Sequence, residues 1–181
     1  MREARGRVII NTGDGKGKTT AAMGQAVRAV GAGMKVIMIQ FIKGKWKVAE
    51  IEGLRHLPGF ELRRLGLGFT VSERRIGPLS DHQAAIQTAW EQAVAEVMSD
   101  RWDLVILDEI NNVLSDPNLN CVVSAADLLK LLSDRPPRLH MVLTGRRAPA
   151  ELVAVADTVT EMTPVKHAYE AGIQALRGIE F

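Results

Sequence analysis

The chain has 181 residues, 46% hydrophobic and 24% charged, with a formal net charge of +2. That length suits one domain, residues 1–181, with one sizeable core, and so small a charge argues against nucleic acid as a partner while fitting a small anionic ligand. The single cysteine, Cys121, excludes an internal disulfide and points to a reducing cytoplasm; "MREAR" does not read as a signal peptide, and no apolar run approaches the roughly 20 residues of a membrane-spanning helix.

The first element is a buried strand at 8–10, a short run of β-branched residues. A glycine-rich loop follows at once. Residues 19–30 are rich in Ala, Met and Gln and lack proline, which predicts a helix stopped by Gly31 and Gly33. "KVIMIQF" (35–41) is a second strand and 60–65 a third, with a short helix expected near 48–57. The clearest helix spans 80–100. Its apolar positions Ile86, Ala89 or Trp90, Ala93 and Val97 recur at helical spacing, and Ser80 with Gln83 fits a capping box. "DLVIL" (103–107) is a buried strand ending at Asp108-Glu109. A helix capped by Ser124 (124–132), a strand (140–144), a helix with Pro149 in its first turn (149–156) and a strand (158–163) follow. The remaining tail reads as a short helix and an ordered terminus. Apolar strands alternating with helices imply a three-layer α/β fold, with a mostly parallel sheet of about six strands covered on both faces.

The loop "TGDGKGKTTAAMG" (12–24) carries the chemistry. Against the phosphate-loop pattern G-x-x-x-x-G-K-[ST], counting back from Gly17-Lys18-Thr19, the first glycine is expected at Thr12 and arrives one place late, at Gly13. A triphosphate needs dense positive potential without bulky side chains. Gly13, Gly15 and Gly17 allow positive φ and inward-facing N–H groups, Lys18 adds a point charge, and the next helix aims its positive end at the same place. Thr19 stands where a hydroxyl can ligate Mg²⁺. Asp108 and Glu109, at the carboxyl end of a buried strand, suit a Mg²⁺-bound nucleotide, directly or through water. These features place the chain among RecA-like P-loop nucleotide-binding folds. A cradle one residue tighter cannot wrap the phosphates as the longer loop does.

Seven stretches in this order resemble one family: "TGDGKGKTTAAMG", "RAVGAG" (28–33), "QFIKGKW" (40–46), "GLGFT" (66–70), "LDEIN" (107–111), "LTGR" (143–146) and "VKHAYEAGIQALRGIEF" (165–181). Together they are similar to the P-loop type of ATP:corrinoid adenosyltransferases, which act in vitamin B12 synthesis and salvage, from about residue 7 to the end. The resemblance implies that the shortened loop holds ATP in a reversed sense. Cobalt(I) of a reduced corrinoid then attacks the ribose 5′ carbon, the intact triphosphate leaves, and a cobalt–carbon bond forms. Thr12, Asp14, Lys16 and Thr20 join Gly13, Gly15, Gly17, Lys18 and Thr19 as nucleotide-holding residues. Arg28 matches a position that contacts the phosphates, and Thr19 with Glu109, and Asp108 beside them, would hold Mg²⁺. Phe69 matches an aromatic lying against the corrin ring; the family often carries tryptophan two residues later, where this chain has Val71. The resemblance also implies a homodimer and a flavoprotein or other reductant as the source of cobalt(I). Some relatives carry a longer leading segment that covers the nucleotide, whereas 12 residues precede Gly13 here.

Two alternatives stay open at this level: a RecA-like P-loop kinase or ATPase, and a nucleotide-dependent corrinoid carrier or regulator. Among single residues, Trp90 and Trp102 read as packing, and Cys121, His56, His82 and His140 as inert or structural. Trp46, Lys43, Lys45 and Lys47 are ligand candidates in a glycine- and lysine-rich loop. Lys166 and His167 could serve ligand or tail packing, and Asn111 could orient the acidic pair.

Overall fold

The computed structural model describes residues 5–44, 49–54, 56–68, 75 and 77–179. In chain order the elements are β1 (Val8–Thr12), α1 (Lys18–Gly31), β2 (Val36–Gln40), α2 (Ala49–Leu54), β3 (Phe60–Arg64), α3 (Leu79–Met98), β4 (Leu104–Asp108), α4 (Ile110–Ser115), α5 (Ala125–Asp134), β5 (His140–Thr144), α6 (Ala150–Val155) and β6 (Thr158–Glu161). A single 3-10 turn, Ala168–Ala171, marks the tail. All six expected strands form, in the order β3-β2-β4-β5-β1-β6, and every neighbouring pair is parallel.

The period-2 alternation of the strands sorts their side chains into two cores. Val36, Met38, Leu104, Ile106 and Val142 face α1, packing on its Ala22, Met23, Ala26 and Ala29. Ile37, Ile39, Val105, Leu107, Met141 and Leu143 face the other way, against Ile86 and Val97 of α3, Ile110 of α4, Leu128 of α5 and Leu152 of α6. The four central strands are buried almost throughout, which is why they read as continuous apolar runs. Because the sheet is parallel, Thr12, Gln40, Asp108 and Thr144 all lie at one edge, the carboxyl ends of β1, β2, β4 and β5.

One local expectation is corrected, one is borne out and one helix was not anticipated. The capping box at Ser80 and Gln83 does not form: Pro78 occupies the N-cap of α3 without a side-chain cap, and Gln83 instead donates its amide to the Asn118 carbonyl (2.9 Å). The real box is on α5, where Ser124 Oγ accepts from Asp127 N and the Asp127 carboxylate accepts from Ser124 N. An unexpected helix, α4, starts directly after Glu109, and Ile110, Val113 and Leu114 bury its apolar side.

Candidate active site

Three adjacent strands, β1, β5 and β4, deliver their carboxyl-end loops to one open cavity of about 740 Å³. Asp14 to Thr20 of the glycine loop line it from β1, Glu109 and Asn112 from β4 and α4, and Thr144 to Arg146 from β5. Ile42 and Lys43 reach it from the end of β2, and Pro164, His167, Tyr169 and Glu170 from the tail. This is the crevice at strand carboxyl ends where open α/β sheets bind ligands.

The glycines of the loop serve two different purposes. Gly13 (φ 91°) and Gly17 (φ 115°) take the left-handed backbone expected of a phosphate cradle. Gly15 does not. It is glycine because the backbone after β6 presses on it: a Cβ there would sit 2.7 Å from the Met162 carbonyl oxygen, to which Gly15 N donates at 2.6 Å. Met162 N in turn donates to Thr12 O at 2.8 Å, so the loop is braced against the start of the tail on both sides. One loop N–H is therefore spent on protein.

Lys18 folds back into the loop, donating to the carbonyls of Gly13 and Gly15, each at 2.6 Å. Burial lowers its ammonium pKa, and the Arg146 guanidinium lowers it further, against raising contributions from Asp14 and Glu109. Lys16 reaches the other way, to the Ile179 carbonyl at 2.9 Å.

Asp108 is the hub of the acidic side. It is fully buried, and its Oδ1 accepts from Thr19 Oγ1 (2.9 Å) and Thr144 Oγ1 (2.6 Å) while Oδ2 accepts from Gln40 Nε2 (2.9 Å). Glu109 follows in left-handed backbone (φ 66°), an unusual place for a residue with a Cβ. Its N–H donates to Thr144 Oγ1 at 2.9 Å. Its carboxyl is pushed up to about 7 by burial first and by the neighbouring Asp108 charge second, although Lys43 and Lys18 pull it down. Glu109 Oε2 is buried with no hydrogen-bond partner. A buried acceptor without a donor calls for an explanation, and a cation at the carboxylate is one that fits.

Among the described residues no three His, Cys, Asp or Glu side chains cluster as a metal cage. The donor set of Thr19, Asp108 and Glu109 is all oxygen. It suits a hard ion that keeps waters and shares substrate phosphates, as Mg²⁺ does.

The structure thus gathers Gly13 to Thr20 and the acidic pair at one place, and sets Arg28 apart. That arginine lies near the end of α1 and lines a different cavity with Ile9, Asn11, Ala21, Gly24, Gln25 and Val142. Thr12 lends its hydroxyl to Ala148 N at 3.1 Å. Phe69, Thr70 and Val71, and also Trp46, Lys45 and Lys47, lie outside the described residues. The stem leading to Phe69 is described. A Cβ on Gly66 would fall 2.2 Å from the Phe41 carbonyl oxygen, and Gly68 N donates to Ile42 O at 2.7 Å. The stem is therefore pinned beside Ile42 and Lys43 at the cavity rim.

Sequence reading missed Gln40, Thr144, Asn112 and Arg146. A signal for Gln40 was present: it is a lone amide in an otherwise apolar buried strand. His82 and His140 are structural as expected, the first buried and the second accepting from Arg7 N at 3.1 Å. Asn111 is buried, but its amide donates to the Gly145 carbonyl (3.4 Å) and so steadies the β5 turn rather than the acidic pair.

Comparison with known proteins gives the family. Over 179 residues the sequence is 37% identical to a corrinoid adenosyltransferase of Escherichia coli K12, covering 99% of this chain and 87% of that one. It is 36% identical over 179 residues to the corrinoid adenosyltransferase CobA of Salmonella typhimurium, with the same coverage (99% and 87%). A Pseudomonas aeruginosa corrinoid adenosyltransferase is 39% identical over 184 residues, covering 99% and 86%. The family described as ATP:corrinoid adenosyltransferase BtuR/CobO/CobP matches residues 4–181, and the chain belongs to that family.

Proposed function

We propose that this chain transfers the 5′-deoxyadenosyl group of ATP to the cobalt(I) of a reduced corrinoid and releases triphosphate. The reading is carried by one observation: in a chain that matches the adenosyltransferases across residues 4–181, the shortened glycine loop and Glu109 line a single cavity, with Asp108 buried behind Thr19. A kinase or ATPase would use the same two motifs, but it would not account for the full-length match.

The electron balance is simple. The cobalt(I) electron pair forms the cobalt–carbon bond, and the pair of the breaking C5′–O bond departs with triphosphate. No proton moves at the reacting carbon, so the site needs stabilisation of a departing polyanion rather than a general base. Lys18 supplies a fixed cation. On this proposal its ammonium exchanges the Gly13 and Gly15 carbonyls for phosphate oxygens. The inward N–H groups and the positive end of α1 act on the same charge.

Mg²⁺ would be held by Thr19 Oγ1 and Glu109, with Asp108 behind them orienting the Thr19 hydroxyl. When bound, it supplies positive charge to the polyphosphate oxygens. Glu109 Oε2, buried and unpartnered, is the atom that supports this assignment. Phe69 is proposed to face the corrin ring, since its stem is fixed at the cavity rim. Arg28 remains a proposed phosphate contact by family position only.

A homodimer is proposed as the working form, and 1–181 as one domain. β6 is an edge strand exposed along its length, and the tail leaves Val165, Tyr169, Ile173, Leu176 and Ile179 between 61% and 95% exposed. So much uncovered apolar surface suits a second copy. Light scattering would return twice the chain mass. The cobalt(I) state requires an electron donor, proposed to be a flavoprotein or other reductant, in a cytoplasmic setting. Among the described residues no helix is long and apolar enough to cross a membrane.

The test is anaerobic incubation with ATP, Mg²⁺ and chemically reduced corrinoid. Stoichiometric alkyl-cobalt product and triphosphate support adenosyl transfer. ADP release identifies a kinase or ATPase, and binding without either product identifies a carrier.

A further inference from the structure

The loop after β5 holds a cation that the phosphate-loop pattern does not include. Gly145 and Arg146 form a turn gripped from three sides. Gly145 N donates to the Asn11 carbonyl of β1 at 3.2 Å. Arg146 N donates to Asn112 Oδ1 of α4 at 2.6 Å, and the buried Asn111 donates to Gly145 O at 3.4 Å. Gly145 has φ 129°, and a Cβ on it would meet Asn112 N at 2.9 Å, so the close approach excludes any larger residue. Arg147 next to it is also held at positive φ (53°), and Ala148 N is tied to Thr12 Oγ1. Backbone strain of this kind persists only where the surroundings over-determine it.

The turn therefore fixes the base of Arg146 while its side chain, 61% exposed, stays free to move within the cavity. It pairs with Asp14 of the glycine loop at 3.5 Å, a carboxylate itself 67% exposed. A solvated pair at that distance contributes little to folding, about 0–1 kcal/mol. It does not explain why β1 and α4 together hold the arginine's backbone in place. The guanidinium shares the cavity with Lys18 and is repelled by it unless an anion lies between them.

We propose that Arg146 is a polyphosphate-binding residue, held ready by Asn112, and that Asp14 is its internal counter-ion until the polyphosphate displaces it. Asn112 is a positioning residue, acting through the Arg146 backbone. The planar guanidinium suits two oxygens of one phosphate at once. The proposal rests on the adenosyl-transfer reading for the identity of the ligand, but its test needs no corrinoid.

The experiment is calorimetric titration of the full-length protein with inorganic triphosphate and Mg²⁺, with thermal melts to verify folding. Arg146→Ala should weaken triphosphate binding about 10- to 100-fold without lowering the melting temperature, and Arg146→Lys should recover part of the loss. Asp14, expected by resemblance to hold nucleotide, acts on this proposal as a competitor, so Asp14→Asn should bind triphosphate a few-fold more tightly than wild type. Asn112→Ala should weaken binding less than Arg146→Ala and flatten its salt dependence less. Undiminished binding by Arg146→Ala, or equal losses in Arg146→Ala and Asp14→Asn, would overturn the proposal, because the pair would then be structural. If the variants behave as expected but wild type forms no alkyl-cobalt product, the adenosyl-transfer reading fails while the Arg146 assignment stands.

Discussion

Thr19 Oγ1 lies 2.9 Å from Asp108 Oδ1, joining the first turn of α1 to the last residue of β4. The same carboxylate accepts from Thr144 and Gln40, so one buried residue sets the spacing of three strands and the glycine loop. Asp108→Asn would place an amide N–H against at least one of these donors. The expected result is a stability loss of about 1–3 kcal/mol and a fall in kcat/KM of roughly 10- to 100-fold. Denaturant unfolding and steady-state kinetics measure the two effects separately.

Glu109 gives a pH prediction. Its carboxyl is raised from 4.5 to about 7 in the ligand-free protein. Between those values the folded state binds more protons than the unfolded state. This group's contribution to stability therefore falls as pH rises from the lower value to the higher, by roughly 3 kcal/mol. Glu109→Gln should flatten that slope, raise the melting temperature at pH 8, and abolish most activity. In wild type, Mg²⁺ must displace the proton, so metal-dependent nucleotide binding should strengthen with pH up to about 7 and then level off. Titrations with MgATP at pH 6 and pH 8 check the direction.

The three loop glycines should respond differently to alanine. At Gly17 a Cβ meets nothing closer than the Met162 sulfur at 3.5 Å, so Gly17→Ala suffers mainly from its φ of 115°, about 1–2 kcal/mol. At Gly15 the φ is permissive but the Cβ would collide with backbone at 2.7 Å, so the β6 exit must move. Gly13 combines both faults, with φ 91° and a contact at 2.5 Å. Melting temperatures should fall most for Gly13→Ala. Hydrogen exchange near Met162 should rise for Gly13→Ala and Gly15→Ala but not for Gly17→Ala.

Glu96 anchors the opposite end of the molecule. Nearly buried at the end of α3, it pairs with Arg63 (2.8 Å) and Arg101 (2.5 Å) and accepts from Trp102 Nε1 (2.7 Å). Burial raises its pKa, but the bonds from Trp102, Arg101 and Arg63 outweigh it and hold the carboxyl below its ordinary value. Its stabilisation is therefore present above the ordinary carboxylate range and lost as pH falls through the lowered value. Glu96→Gln should cost about 1–3 kcal/mol at pH 7, and progressively less in acid, with kcat unchanged at 25 °C. Chemical denaturation across pH, alongside kinetics, tests it.

The sheet was legible because its strands are buried on both faces. "VIMIQ" and "LVILD" can serve little else than a covered parallel sheet, and α1 and α3 carry full apolar stripes. α4 was not, because six residues with two asparagines show too little periodicity, and its start depends on the left-handed Glu109. The capping box at Ser80 looked sound locally, but Pro78 already sets the extended backbone that begins α3. In the site, Lys18, Thr19, Asp108 and Glu109 were readable from spacing. The reason Gly15 must be glycine was not, since Met162 is distant in sequence and meets it only through the pairing of β1 with β6. Arg146 stood in "LTGR" but was given no role for the same reason: its role depends on contacts from α4 and β1.

The central claim is that the whole triphosphate leaves from the ribose 5′ carbon. The direct measurement is anaerobic single turnover with MgATP and cobalt(I) corrinoid, quantifying phosphate products beside the corrinoid spectrum. The account predicts one triphosphate for each new cobalt–carbon bond, with no ADP formed. ADP and phosphate appearing while the corrinoid stays unalkylated would contradict it.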